Sequence, residues 1–527
     1  MFTLLLLLAA APAGGENLLQ SRPSRAVLNE RIELKPVPGH HFNLVAPQTC
    51  GGSRADELTP RVFRCRLASS GEVGVVASVC DDAKTFCRQE RFTVAVSGRK
   101  RDAKRAKPAP KPHPFAAGFL VNDLGKAVTL ARRLHKPIFV HFYGIWCPPC
   151  NMLEEGVYPS ETFLKASEGF VLLALDADAE LSWDWKARFQ IGGYPTLLVL
   201  DERGQEVSRA VGYRSAQSLV AFLQGSKTLM SEPIEIAALA VAKSSPTEDG
   251  ARRARVARWR IERAQYAEAV SAAGTSPVSR REALLARKEL ASKSDDAPGV
   301  LAALKSLTSQ FKDSAEFADW VVDLVELDKP AAEALHNEAL ASTARWAADP
   351  NLGEHGYVPG DMLATAATLL QSLGRNAQST AAWSAAADAY AADAKASTLK
   401  LARGANLERA HCLAKAGRLD EARALYDALV GAYPDEFTFH HGYARLLFEQ
   451  KEFSTALICA RAALKTGYGD NWLRAVALES QILKALGRKE EAAKSLDAAL
   501  REAAAPKSAA VRTHRYLAEL RRLRAEL

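Results

Sequence analysis

At 527 residues the chain is too long for one hydrophobic core, and 48% hydrophobic with 25% charged residues is ordinary globular composition. The formal net charge of +8 could suggest a nucleic-acid partner. However, seven basic residues and one acid, Asp102, fall between Gly98 and Pro114, so +6 sits in a stretch that also holds Pro108, Pro110, Pro112 and Pro114. That is a solvated spacer and not a binding face, which excludes nucleic acid.

In chain order, residues 1–13 come first, an apolar run ending in Ala11-Pro12-Ala13, the small-x-small pattern of a signal peptide. No Lys or Arg precedes the run, and an uncleaved anchor is the competing reading. No later stretch approaches 18 uncharged apolar residues, so the mature chain is expected to be soluble, without a membrane span, and periplasmic or secreted from a bacterium. Eight cysteines stand at 50, 65, 80, 87, 147, 150, 412 and 459, six of them in the first 150 residues, which favours an oxidising compartment.

Residues 16–97 alternate short apolar runs with turns, as in Arg31–Lys35, Val73–Val79 and Phe92–Val96, and predict a small all-β domain. Cys50 and Cys65 read as a structural disulfide. Cys80 and Cys87 read either as a redox pair or as a bridge limiting the unfolded chain by roughly 2–3 kcal/mol. The four lack paired C-x-x-C knuckles, so no metal is expected. The basic Pro-rich linker 98–114 follows, able to reach on the order of 50 Å if extended.

Residues 115–225 alternate strands and helices. A helix near Asn122–Leu134 precedes the strand 138–143; then come Trp146-Cys147-Pro148-Pro149-Cys150, a helix through Leu153, and a strand over Phe170–Leu175. A helix around Trp183–Phe189, Tyr194-Pro195 opening another strand, a turn at Asp201–Gly204 and a helix from Ser215 complete the order. Two cysteines at a strand-to-helix junction place the first sulfur at a helix N-terminus, where a thiolate is stabilised. Asn151 follows Cys150 where c-type haem attachment needs His, so no cofactor is implied. Beyond 226 the chain is rich in Ala, Leu, Arg and Glu, and 230–527 predicts all-α repeats. Ala416–Ala422, Glu449–Ala456 and Leu486–Ala492 recur, with Lys451 where Gly417 and Gly487 have glycine. Arg263–Ala269 and Leu373–Asn376 are weaker echoes, and Cys412 and Cys459 read as buried thiols in these helices.

The C-x-x-C with Pro195 resembles a thioredoxin fold, in which a proline of that kind sits beside the active site. The recurring segments resemble tetratricopeptide repeats, where small residues let paired helices approach. Together with Cys80-Asp-Asp-Ala-Lys-Thr-Phe-Cys87, one residue longer than the family's C-x-D-x-x-F-C, the chain resembles the soluble domains of DsbD-type thiol:disulfide interchange proteins. That resemblance implies an immunoglobulin-like N-terminal domain whose cysteine pair takes electrons from the thioredoxin domain, and it favours the redox reading of Cys80/Cys87. The family's membrane domain is missing, with the linker in its place, which puts the electron source in doubt.

The resemblance implies Cys147 as nucleophile, Cys150 as resolving thiol, and Pro195, Tyr194 and Trp146 as the substrate groove. His141 stands six before Cys147, where such proteins carry an acid, and is either a base or core packing. Glu154, four after Cys150, is either a proton relay or solvated charge. Two functions follow. One is an exported thiol-disulfide oxidoreductase acting on protein thiols and disulfides, its repeats binding protein partners. The other is a repeat scaffold whose thioredoxin fold clamps without catalysis.

Overall fold

The computed structural model describes residues 18–20, 22–27, 31–44, 46, 48–51, 53–67, 71–82, 87–97, 118–396, 402–506, 508 and 512–527. The expected signal segment 1–13 and linker 98–114 lie outside the described residues. The chain divides into two compact units, one through Ala109 and one from Pro110.

In the first unit, alternation of buried and exposed residues gives Arg31–Leu34 and Phe63–Arg66 one apolar face each. With Glu57–Leu58 they form a three-stranded antiparallel sheet. A six-stranded sheet is built on two eleven-residue strands, Gly71–Asp81 and Cys87–Ser97. These are longer than the short strands expected from sequence, because their ladder continues past the apolar runs into polar residues such as Glu72 and Gln89. Both sheets contribute to one core, with Leu34 and Phe63 from one and Phe42, Val79 and Val94 from the other. A Cys50–Cys65 disulfide joins a strand of each sheet. Cys80 and Cys87 are cross-strand partners and are also disulfide-bonded, their Cα atoms 4.0 Å apart.

The second unit begins with a five-stranded sheet in the order Phe119–Val121, Val171–Asp176, Ile138–Tyr143, Thr196–Leu200, Glu206–Val211. The first three run parallel and the last two antiparallel to their neighbours. Ile138–Tyr143 is buried at every position, as a central strand covered on both faces requires. One face packs on the helix Leu124–Leu134 through Ala127 and Ala131; the other meets Phe163 and, from the helix Ala216–Thr228, Leu219 and Leu223. Asp123 and Ser215 cap these helices by accepting from the N–H groups of Lys126 and Ser218.

Among the described residues from Ile234 to Ala525 the regular elements are all helices. The three repeats expected from sequence are the helix pairs Arg403–Lys415/Leu419–Ala432, Phe437–Glu449/Phe453–Thr466 and Gly469–Ala485/Lys489–Glu502. Ala422, Ala456 and Ala492 are fully buried in them. Gly417 and Gly487 turn between paired helices at φ +74°, and Lys451 holds the same left-handed conformation at +62° without glycine's freedom. The weaker echoes turn the same way, at Ala264 and Gly374. Cys412 is buried, but Cys459 is half-buried, which corrects the expectation of two buried thiols. Among the described residues no helix is long and apolar enough to cross a membrane. The helical region does not stand apart from the thioredoxin fold. Both belong to the second unit, and the helix Arg403–Lys415 packs on the C-x-x-C helix.

Candidate active site

Where Ile138–Tyr143 ends, a short turn carries Trp146 and leads into the helix Pro148–Met152. Cys147 is its N-cap, and the two prolines take the first positions, where a missing N–H leaves no helical bond unmade. Cys147 and Cys150 form a disulfide, and the Cys150 N–H donates to Cys147 Sγ at 3.3 Å. Asn151 braces the turn, its Nδ2 donating to the Ile145 carbonyl at 3.1 Å. The helix continues as a π-turn over Leu153–Val157, and both Glu154 and Glu155 are buried. The Tyr194–Pro195 bond is cis. Tyr194 meets Trp146 edge to face at 5.7 Å, which brings the proline loop beside the dithiol.

His141 is fully buried on the central strand, paired with Ala174 on one side and Leu197 on the other. Its ring lies 5.7 Å from Tyr143 and 5.6 Å from Tyr158. Burial pulls the imidazole down to about 3, against the opposite pull of Glu154, so it is neutral at neutral pH.

The helical region covers this site. Phe437, Ala463 and Ala475 share one apolar cluster with Tyr143, Ile145, Cys147, Cys150 and Ala174, leaving Cys147 and Cys150 only 2% and 1% exposed. Arg403 reaches into the thioredoxin fold, pairing with Glu155 at 2.6 Å and Glu154 at 2.9 Å while also meeting Glu436 of its own region at 3.2 Å. Burial opposes its charge, but the three carboxylates outweigh burial and hold its pKa above the ordinary arginine value. Near Trp146, Asp178 accepts from the indole Nε1 at 2.7 Å, from Asn471 Nδ2 at 2.9 Å and from Arg512 at 3.2 Å. Arg512 also reaches Asp470 at 3.4 Å, and its guanidinium lies 4.4 Å from the Trp146 ring centre and 5.1 Å from that of Tyr194. Burial pushes Asp178 up against the pull of Arg512. Asp176 is pushed up too, with the Tyr468 hydroxyl donating to it.

Of the residues singled out from sequence, Trp146, Cys147, Cys150 and Tyr194 come together in one cluster, and Pro195 adjoins it through Tyr194. Glu154 is not solvated charge; it is buried against Arg403. Cys50, Cys65, Cys80 and Cys87 belong to the other unit. Sequence reasoning missed Asp176, Asp178, Arg403 and Arg512. The two aspartates had a signal, since they stand at the carboxyl end of a core strand, the end where open α/β sheets place their sites. The arginines had none.

Residues 124–226 match the thioredoxin-like domain family. The thiol-disulfide oxidoreductase ResA of Bacillus cereus (strain ZK / E33L) is 30% identical over 131 residues, covering 21% of this chain and 75% of ResA. The thiol:disulfide interchange protein DsbD of Cronobacter sakazakii is 30% identical over 107 residues, covering 20% of this chain and 18% of DsbD. A solved tetratricopeptide repeat protein from Parabacteroides merdae aligns over 46% of this chain and 98% of its own, at 16% identity and a TM-score of 0.22. The match thus spans three quarters of ResA and under a fifth of DsbD.

Proposed function

Because the chain belongs to the thioredoxin-like thiol-disulfide oxidoreductases, we propose that it is an exported disulfide reductase or interchange protein working through Cys147 and Cys150. The observation that carries this reading is Cys147 at a helix N-cap, bonded to Cys150 beside the Tyr194–Pro195 loop. In the reduced protein the helix N-terminus favours the Cys147 thiolate. That thiolate attacks one sulfur of a substrate disulfide; the substrate S–S bond breaks, a Cys147 mixed disulfide forms, and the departing sulfur takes a proton. The Cys150 thiol gives up its proton and attacks Cys147 Sγ, restoring Cys147–Cys150 and releasing the second substrate thiol. Two electrons and two protons pass to the substrate, and an external dithiol must return them.

Glu154, one turn past Cys150, is the stronger candidate to accept the Cys150 proton, because burial leaves His141 a weak base. Trp146, Tyr194 and Pro195 shape the ground on which substrate lies. The leader-like 1–13 and the disulfides of the first unit support export to the periplasm or beyond. Cys80–Cys87 serves as a second redox pair fed by Cys147, and Cys50–Cys65 as a structural bridge. Cys150→Ser tests the exchange and the relay together. It should trap covalent adducts at Cys147 with protein thiols, including Cys80 or Cys87. A Cys80–Cys87 bond that stays oxidised under strong non-denaturing reductant, with no adduct to it, would sink the relay.

A scaffold reading draws on the helical region closing over the dithiol. Partner capture by the Cys147→Ser/Cys150→Ser chain, undiminished and without crosslinks, would favour it.

A further inference from the structure

A sulfur that attacks disulfides on folded proteins must be reachable by a bulky partner, yet the chain's own C-terminal half lies over Cys147 and Cys150. The fit is close. A Cβ at Gly404 would meet the Pro148 carbonyl oxygen at 2.3 Å and Met152 Cγ at 2.9 Å. Two arginines fasten the cover in the same manner. Arg403 is shared between Glu154 and Glu155 of the thioredoxin fold and Glu436 of the helices. Arg512 is shared between Asp178 of the thioredoxin fold and Asp470 of the helices. Lifting the cover would separate these pairs and leave buried charges uncompensated, which is strongly unfavourable. Alongside runs a cleft of about 240 Å³, bounded by Trp146 and Pro148, the residues flanking Cys147, and by Leu407, His411, Phe437 and Arg445. That volume lies just below the range of about 300–1,000 Å³ typical of small-molecule sites and is far too small for a folded domain.

Resting on the exchange reading above, we propose that the helical region determines specificity. Held down by Arg403 and Arg512, it admits to Cys147 in the closed state only disulfides small or extended enough to enter this cleft, and those on the surfaces of folded proteins, the chain's own Cys80–Cys87 included, react only when the cover opens. Arg403 and Arg512 are positioning residues in this scheme, since they act on the cover and not on the reacting sulfurs.

The test labels the reduced full-length chain with N-ethylmaleimide or with the same maleimide on a polyethylene glycol chain, reading Cys147 by peptide mass mapping. The denatured chain sets the intrinsic ratio of the two rates. In the folded wild type, the polymer reagent should be slower by a further factor of about ten or more, because reaction then waits on opening. Gly404→Ala keeps every charge and suits a helix, but it prises the cover from Pro148. It should return the ratio to within about threefold of the denatured value while leaving glutathione disulfide reduction within about threefold of wild type. Arg403→Gln/Arg512→Gln should likewise return the labelling ratio toward the denatured value, with no activity readout because Arg403 pairs with Glu154; if that variant does not fold, Gly404→Ala decides. A wild-type ratio equal to the denatured one, or a folded Gly404→Ala chain with the ratio unmoved, overturns the proposal. Wild type that cannot reduce glutathione disulfide counts against the exchange reading instead, and the labelling ratio still decides the cover.

Discussion

Cys147 differs from the other seven cysteines in its backbone position, where a buried strand gives way to a helix N-terminus. That contrast was legible in the sequence because it is local: the apolar run, the two prolines and the spacing all lie within fifteen residues. The partners of Glu154, Glu155 and Asp178 were not legible. Arg403 meets Glu155 across 248 positions and Arg512 meets Asp178 across 334, and no periodicity marks either arginine among the chain's many. His141 was legible as a position but not as a charge state. Its depressed folded value, about 3 against about 6.5 unfolded, means the stability it contributes is fully present above pH 6.5 and is lost as pH falls toward 3. Replacing it by Leu should flatten the fall in stability between pH 6.5 and 4. The full linkage is up to about 5 kcal/mol by pH 3 and below. Urea unfolding at pH 4, 5 and 7 reads the difference, and equal slopes for the two proteins would refute a buried neutral imidazole.

At the scale of elements, the helix pairs were legible wherever a small residue marks the close approach, as Ala422, Ala456 and Ala492 do. The middle repeat was harder to read because Lys451 replaces the expected glycine, although the backbone still turns left-handed there. An L-residue carries a penalty in that conformation that glycine avoids, partly offset by glycine's freer unfolded chain. Lys451→Gly should therefore stabilise the helical region by about 0.5–1 kcal/mol, seen as a higher denaturant midpoint with unchanged slope. A lower midpoint would mean that the Lys451 side chain contributes more than its backbone costs. In the first unit, the long strands Gly71–Asp81 and Cys87–Ser97 were read short because apolar alternation marks only the buried middle of a ladder.

For the whole molecule, the sequence separated a thioredoxin region, 115–225, from repeats over 230–527, and composition alone could not show that the two share one unit. Their junction is made by Phe437, Ala463 and Ala475 against the dithiol and by two shared arginines, contacts that exist only once both regions have folded. The second unit is thus an oxidoreductase domain under a roof of its own chain, and in the function proposed above its chemistry rests on the Cys147 sulfur. The most direct measurement supplies a dithiol and follows reduction of glutathione disulfide by wild type, Cys147→Ser and Cys150→Ser. Turnover above the uncatalysed rate by wild type, none above it by Cys147→Ser, and, when reduced Cys150→Ser freed of the dithiol meets glutathione disulfide, a single glutathione adduct on Cys147 is the predicted result. Turnover that persists without Cys147 would contradict the account.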